Sequence, residues 1–588
     1  MVGRRGVIVA AASMFAAVFA FYARTATFSF VNFDDNDYVF NNEHVLSGLS
    51  VSGAQWAFSD TASTWNWHPL TWLSLMCDVS VSGVRAEPVG LGNPRFETPE
   101  LSRISRVMHL HNALLHAANA ALLLLLALGM AGRWDKDDRE MARHDQNSAW
   151  GLIVAAGIVA AWAVHPLRAE VVCWVSERKE LLSVFFMLLS LLVYFRWRGR
   201  GGLCAALLLF AFALMAKPVA VTLPVVFLAM DWMICNRVLW GRAIAAFSLS
   251  AAACVATIFA QNPGIAGLAK TSLAARFLNA VASVGVYLRQ TVVPCGLSAM
   301  YPFSEGVGAL DVAIGCAVLA AAAAVSVRWF RGARGQLDRA AFLSVAWAFV
   351  ALLPMLGIVQ VGEQAHADRY TYWAGCGLAV AVVMACRRFP NGQNNGIIGQ
   401  GQQERRCWSG ISKGAFKGLG GVLGGIGVML LAWMGWRQCS TWRDTRAVYQ
   451  QAWEATGSGW AAAAAAQAWK AVDPRESERI YRKAIEAHPN DAFLLSQFAV
   501  HLAVRASTRD FSEARTLAER ALRNDPSCCH AHEALGFAAV RGGDFNAAEE
   551  HFVAAIRLGS DSPVVRRALE DALRGKARRP GPWLERGN

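Results

Sequence analysis

Adjacent carboxylates at Asp34 and Asp35 are the first side chains in this sequence that could move a proton. Two acids side by side at the edge of an apolar segment raise one another's pKa, which suits a general base. The run Asp34-Asp35-Asn36-Asp37 reads equally as an Asx-rich turn or a calcium-like site. A second set is cationic: Arg178 and Lys179 inside Glu177-Arg178-Lys179-Glu180, Lys217 before Pro218, and Arg369 beside Asp368. A guanidinium fork and an ammonium point charge suit a phosphate, while the neighbouring acids offer them simple ion pairs. Lys217, deep between two apolar runs, needs an anionic partner or must snorkel to the headgroups. A third set mixes aromatic faces with polar tips: Trp65-Asn66-Trp67-His68-Pro69-Leu70-Thr71-Trp72. Such residues stack on a sugar and hydrogen-bond its edges, or they form an interfacial aromatic belt. Finally, His109, Asn112, His116 and Asn119 form a helical stripe about 80° wide. Interhelical hydrogen bonding is the plainer reading of that stripe, ahead of metal ligation.

The elements that must position these groups are membrane helices. The chain has 588 residues, 55% hydrophobic and 17% charged, with a mean hydropathy of +0.30. A soluble protein averages roughly 45–50% apolar and about 25% charged. The apolar residues lie in long blocks, which excludes intrinsic disorder, a small disulfide scaffold and a wholly soluble enzyme. Candidate spans fall at 7–23, 109–129, 149–164, 181–195, 203–216, 218–234, 242–260, 308–327, 340–359, 373–386 and 418–436. The expected fold class is all-α: a polytopic bundle of about 11 spans. The 56 basic residues exceed the 43 acidic ones by 13. Much of that surplus sits in the clusters Arg4–Arg5, Arg196–Arg200, Arg328–Arg339 and Arg387–Arg406, as the positive-inside rule places cytoplasmic loops. No nucleic-acid-reading motif accompanies the charge, so no nucleic-acid partner is expected. The thirteen cysteines form no CxxC pair, which leaves neither a zinc site nor a disulfide framework.

Met1–Ala23 lacks an obvious small-residue cleavage site and is read as a retained first span with a cytoplasmic N-terminus. Loops 24–106, 165–180, 261–307 and 360–372 then face outward, and the candidate chemistry gathers on that one face. Arg276–Val293 carries Arg289 and is read as an amphipathic or re-entrant piece on the same side. Eleven crossings put everything after Trp436 outside as well.

Beyond residue 436 the chain becomes alanine-rich and charged. Glu476–Pro489, Phe511–Pro526 and Phe545–Leu558 share a spacing, and Ala484, Ala521 and Ala555 recur at steps of 37 and 34. Leu535, Gly536, Ala548, Phe552 and Ala555 fit a tetratricopeptide repeat, whose period is about 34. Residues 437–588 are therefore expected to form a small α-solenoid capped by Pro563–Arg574, either a groove for a peptide or protein partner or a packing platform.

Several strings occur in one order: FDDNDYV from Phe33, WNWHPLTW from Trp65, HLHNALLHAAN from His109, HPLRAEVVCWVSERKE from His165, AKPVAVTLP from Ala216, Met300-Tyr301-Pro302, and ADRYTY from Ala367. Together they resemble bacterial members of the transmembrane and tetratricopeptide-repeat (TMTC-like) proteins, over roughly residues 5–560. The animal relatives are regarded as O-mannosyltransferases of the GT-C fold that use dolichyl-phosphate-mannose. The resemblance implies a GT-C-like domain over 1–436 with a large first outer loop, 24–106, and an extracytoplasmic repeat domain over 437–588. It implies a polyprenyl-phosphate sugar donor, a protein or peptide acceptor presented by the repeats, and a bacterial inner membrane. By matching strings, Asp34 becomes the base with Asp35 in support. Arg178, Lys179, Lys217 and Arg369 become donor-phosphate contacts, and His68, His165, Glu170 and Tyr370 sugar or acceptor contacts. A divalent metal is permitted but not required, because cations already neutralise the phosphate. The rival reading is a non-enzymatic membrane scaffold for envelope assembly.

Overall fold

Proline and charge decide where the apolar runs stop. The computed structural model describes residues 4–64, 66–89, 98–133, 147–197, 199–235, 237–261, 272–303, 307–333, 335–358, 364–386, 403–504, 508–560 and 562–573. Trp65, Glu363 and residues 387–402 of the basic cluster lie outside the described residues. The chain divides into two compact units, Met1–Leu297 with Gly306–Thr445, and Ser298–Glu305 with Arg446–Asn588.

The first unit is built of helices. Among the described residues five are long and apolar enough to cross a membrane: Arg5–Thr27, Pro99–Ala131, Trp240–Ala260, Ala309–Phe330 and Leu337–Met355. A sixth arises if the pair Ala149–Ala163 and Pro166–Cys173, bent by 57°, counts as one span. Ile8, Val9, Phe247, Phe259, Leu310 and Val327 point outward from these helices, an apolar surface that suits lipid rather than water. This is fewer than the eleven spans expected from hydropathy, and the reasons are local. Pro218 has no N–H to continue a helix, so the run 203–234 divides into Arg200–Ala216 and Leu223–Cys235, both shorter than about 20 residues. The helix Arg178–Arg196 opens on three charged residues, and Thr371–Cys386 is 16 residues long.

Residues 276–293 belong to the helix Leu273–Val292, which is not among the helices apolar enough to span. It runs antiparallel to Ala309–Phe330 at very short range. A Cβ on Gly285 would stand 1.9 Å from the Asp311 carbonyl, and one on Gly315 would stand 2.0 Å from the Val281 carbonyl. Small residues permit that approach, and Asp311 pairs with Arg289 at 2.8 Å.

The polar stripe on the helix Pro99–Arg133 is buried and spent on hydrogen bonds. Between Ala163 and Arg178 the backbone breaks into short turns, which frees carbonyls inside the bundle. His109 Nε2 meets the Cys173 carbonyl at 3.1 Å. Asn112 Nδ2 donates to the Val172 and Trp174 carbonyls at 3.3 and 3.1 Å. His116 Nε2 reaches the Ala163 carbonyl at 2.9 Å, and Asn119 Nδ2 the Leu181 carbonyl at 3.0 Å. Irregular backbone at membrane depth requires such partners.

The loop after the first helix folds around its own apolar cluster, including Phe30, Tyr38, Phe40, Trp72, Leu75 and Met76, with Val175 inserted from the broken segment. At its root, Arg24 stacks 4.0 Å from the Trp436 ring and bonds Ser440 Oγ at 2.6 Å.

The second unit carries Gly459–Trp469, Pro474–Ala487, Ala492–Val504, Thr508–Asn524, Cys529–Gly542, Phe545–Arg557 and Pro563–Leu573. Ala484, Ala521 and Ala555 are all buried. Pro489 and Pro526 follow the ends of their helices. A Cβ on Gly536 would lie 2.5 Å from the Phe552 ring, so glycine is what allows that ring to seat.

Candidate functional site

Glu177 stands at the centre of a buried ion cluster. It sits 1% exposed at the last position before the helix Arg178–Arg196, in the turn that the Asn112 bonds help hold. Lys217 Nζ lies 2.9 Å from one carboxylate oxygen; Arg369 Nε and Lys179 Nζ lie 3.5 and 3.6 Å from the other. Burial opposes ionisation of Glu177, but Lys217, Lys179 and Arg369 outweigh it and hold its pKa at about 2. Lys217, the residue before Pro218, also reaches Glu180 at 3.0 Å. The deep lysine thus has two anionic partners. Arg369 pairs with Glu170 through its guanidinium and through its own backbone N–H at 2.7 Å, and donates to Gln364 Oε1 at 2.9 Å. Tyr370 takes the Gln364 amide at 2.5 Å on its hydroxyl.

Aromatic faces surround the cations. Lys179 Nζ lies 4.4 Å from the Tyr38 ring centroid and 5.8 Å from that of Trp174, while Arg369 lies 5.5 Å from Trp174. Lys179 also donates to the Tyr38 hydroxyl at 3.1 Å. His68, stacked on Tyr38 at 5.5 Å, precedes the helix Pro69–Ser82. Burial, with Lys179 and Lys217 nearby, pushes its imidazole down to about 3. It therefore works as a neutral hydrogen-bonding group.

The two aspartates part company. Asp35 is buried and saturated: Oδ2 accepts from Val31 N at 2.9 Å, and Oδ1 from Ser176 N at 2.9 Å and Ser176 Oγ at 2.5 Å. Burial still raises its pKa to about 6. Its place is to fasten the loop after the first helix to the segment that carries Glu177. Asp34 is half-buried, and among the described residues no hydrogen bond engages its carboxylate. Its charge is felt at Lys179, and Phe33 beside it stacks on Trp174 at 5.0 Å. The calcium-like reading fails: Asp35 is taken up by N–H and O–H donors, Asn36 bonds Asp37 at 2.7 Å, and no metal-holding cluster occurs among the described residues.

Asp34, His68, Glu170, Lys179, Lys217, Arg369 and Tyr370 thus form one connected neighbourhood. Arg178 and His165 stand outside it. Arg178 is fully buried with every N–H used, on Asn112, Ser74, His111, the Met108 carbonyl and Asp78. Successive helical residues point about 100° apart, so Arg178 and Lys179 face different surroundings. His165 caps Leu167 N through Nδ1 at 3.2 Å and donates through Nε2 to the Thr291 carbonyl at 3.1 Å, leaving no free ring nitrogen. The residues that sequence reasoning passed over are Glu177 as hub, Tyr38 and Gln364.

No family model matches this sequence. The chain is similar to the Protein O-mannosyl-transferase Tmtc2 of Drosophila melanogaster, 29% identical over 219 residues, which is 35% of this chain. It spans about a fifth of that protein, 19% of its length.

Proposed function

We propose that this chain is an integral-membrane glycosyltransferase that moves a mannose-like sugar from a polyprenyl-phosphate donor to an acceptor hydroxyl on protein. The observation that carries the reading is the half-buried Asp34 carboxylate, unbonded among the described residues, whose charge acts on Lys179, with Lys179, Lys217 and Arg369 gathered around Glu177. In this mechanism Asp34 takes the acceptor proton as the hydroxyl oxygen attacks the anomeric carbon. The bond to the donor phosphate breaks, and polyprenyl phosphate leaves with inversion at the sugar. Lys179, Lys217 and Arg369 stabilise the charge that grows on the leaving phosphate. His68 and Tyr370 hydrogen-bond the sugar or acceptor, and Glu170 holds Arg369. The similarity to an O-mannosyl-transferase supports the reaction class, and the helical second unit supports an acceptor-binding tetratricopeptide array. The proposed setting is a bacterial inner membrane with the N-terminus cytoplasmic and the array outside.

Asp34→Asn should abolish transfer from a lipid-linked sugar while leaving membrane insertion and donor binding intact; full transfer by that variant would defeat the assignment. One observation favours a scaffold instead: Lys179, Lys217 and Arg369 face Glu170, Glu177 and Glu180 in equal number. A purely structural cluster binds no donor, so lipid-phosphate binding that falls on Lys217→Ala separates the two.

A further inference from the structure

The second unit holds a pair of histidines that sugar transfer leaves unused. His532 is the fourth residue of the helix Cys529–Gly542, and His551 the seventh of Phe545–Arg557. Gly543, at φ 77°, ends the first helix in the left-handed region, and the second packs back on the first. The bare Gly536 seats the Phe552 ring, which also meets Phe537 edge-on at 5.2 Å. His532 lies one turn before Gly536, and His551 directly before Phe552. Packing that is already in place thus brings the two imidazoles together. Their Nδ1 atoms stand 3.2 Å apart and their ring centroids 5.4 Å apart. Both rings are half-buried, so solvent and ions reach them.

Two ring nitrogens at that distance can share one proton or one metal ion. The separation is at the long end of what a direct N–H hydrogen bond spans, about 2.7–3.2 Å. Zinc binds imidazole at about 2.05 Å, and a tetrahedral angle between two such bonds sets the nitrogens about 3.3 Å apart. The nitrogens therefore need hardly move to exchange their shared proton for an ion; the rings need only tilt until both lone pairs converge. Glu550 supplies a negative charge that acts on both rings. Arg515, the cation that acts on His551, is itself engaged by Glu519 at 3.0 Å.

We propose that His532 and His551 chelate one divalent ion of the zinc class through their Nδ1 atoms, between the helices Cys529–Gly542 and Phe545–Arg557. No closed cluster of three or more ligand side chains occurs among the described residues, so water fills the other positions. Such a site is open and exchangeable, weaker than a four-ligand structural centre. Calcium and magnesium, which prefer oxygen donors, do not suit it. The ion staples this helix pair whether or not the first unit transfers sugar.

The test uses the full chain in detergent, free of any histidine tag and stripped with a chelator. Zinc titrated by calorimetry should fill a site whose affinity falls about tenfold or more in His532→Gln and again in His551→Gln, since each variant loses one of two protein ligands. Saturating zinc should raise the melting temperature of the second unit by about 3 °C or more in the parent chain and in neither variant, because an ion that binds only the folded state stabilises it. Magnesium should have no effect. Zinc should also shield both imidazoles of the parent chain from diethyl pyrocarbonate, read by peptide mass mapping. Zinc held instead by the chain's thiols would bind both variants undiminished, and that result overturns the proposal. A melt indifferent to zinc overturns it too. Should the variants fold poorly, the shielding experiment on the parent chain decides, and imidazoles that stay reactive in zinc count against the site.

Discussion

At the scale of single residues, Glu177 is the group whose removal says most. Its carboxylate lies between three cations, and its pKa of about 2 sits below that of an unfolded glutamate. A depressed acid contributes stability that is fully present above the unfolded value, near 4.3, and is lost as pH falls toward 2. The shift corresponds to about 3 kcal/mol at neutral pH. Glu177→Gln should therefore destabilise the first unit by about 2–4 kcal/mol, read as a lowered melting temperature that converges with the parent protein near pH 2. The same change raises the net charge around Lys179, Lys217 and Arg369 by one. If those cations receive a donor phosphate, its binding should tighten even as stability falls. Unchanged or weaker binding would mean that the cluster serves packing alone.

At the scale of elements, the broken segment from Ala163 to Arg178 is the piece that positions the chemistry, and the helix Pro99–Arg133 is what satisfies it. Asn112 alone serves the Val172 and Trp174 carbonyls and accepts from Arg178 Nε at 2.5 Å. Asn112→Leu keeps the branched outline, though in a bulkier side chain, and strips all three bonds, so it should cost about 2–4 kcal/mol, with part of that from the orphaned guanidinium. Hydrogen exchange should rise across residues 163–178 and hardly change in the second unit; uniform exchange would show that the stripe does not hold the break. Much of this element was legible in the sequence, because a 3.6-residue period gathers four polar side chains on one face and Pro166 marks the interruption. The ion cluster was only half legible. Glu177 and Glu180 could be seen as partners for nearby cations, but Arg369 and Lys217 arrive from distant parts of the chain that no local pattern joins. Arg178, next to Lys179 in the sequence, turns to a different set of partners because successive residues on a helix point about 100° apart. Hydropathy registers an apolar run, whereas Pro218 and the charges at 178–180 decide how long the helix within it can be, so five of the eleven expected spans stand as single long apolar helices among the described residues.

At the scale of the whole molecule, each unit has an apolar core of its own. That of the second unit runs without interruption from Ala462 through Tyr481, Phe498, Ala518 and Phe537 to Ala568. It joins successive helices by contacts between near neighbours, with Arg482 pairing Glu513 at 2.8 Å from one helix pair to the next. An array of this kind owes its stability to its own helices and their neighbours. A fragment spanning residues 446–588 should therefore be soluble, helical by circular dichroism and cooperative in its melt. Gly536→Val tests the same core, since its added carbons must displace the Phe552 ring; overpacking of this kind costs about 1–3 kcal/mol. That penalty should appear in the fragment and, undiminished, in the second unit of the full chain. The proposed division of labour makes a matching demand on the remainder: without residues 446–588, the chain should still bind a lipid-linked donor but no longer transfer sugar to protein. Transfer at the full rate without the array would remove the acceptor-binding role from it. A fragment that stays unfolded would instead show that its core is not sufficient.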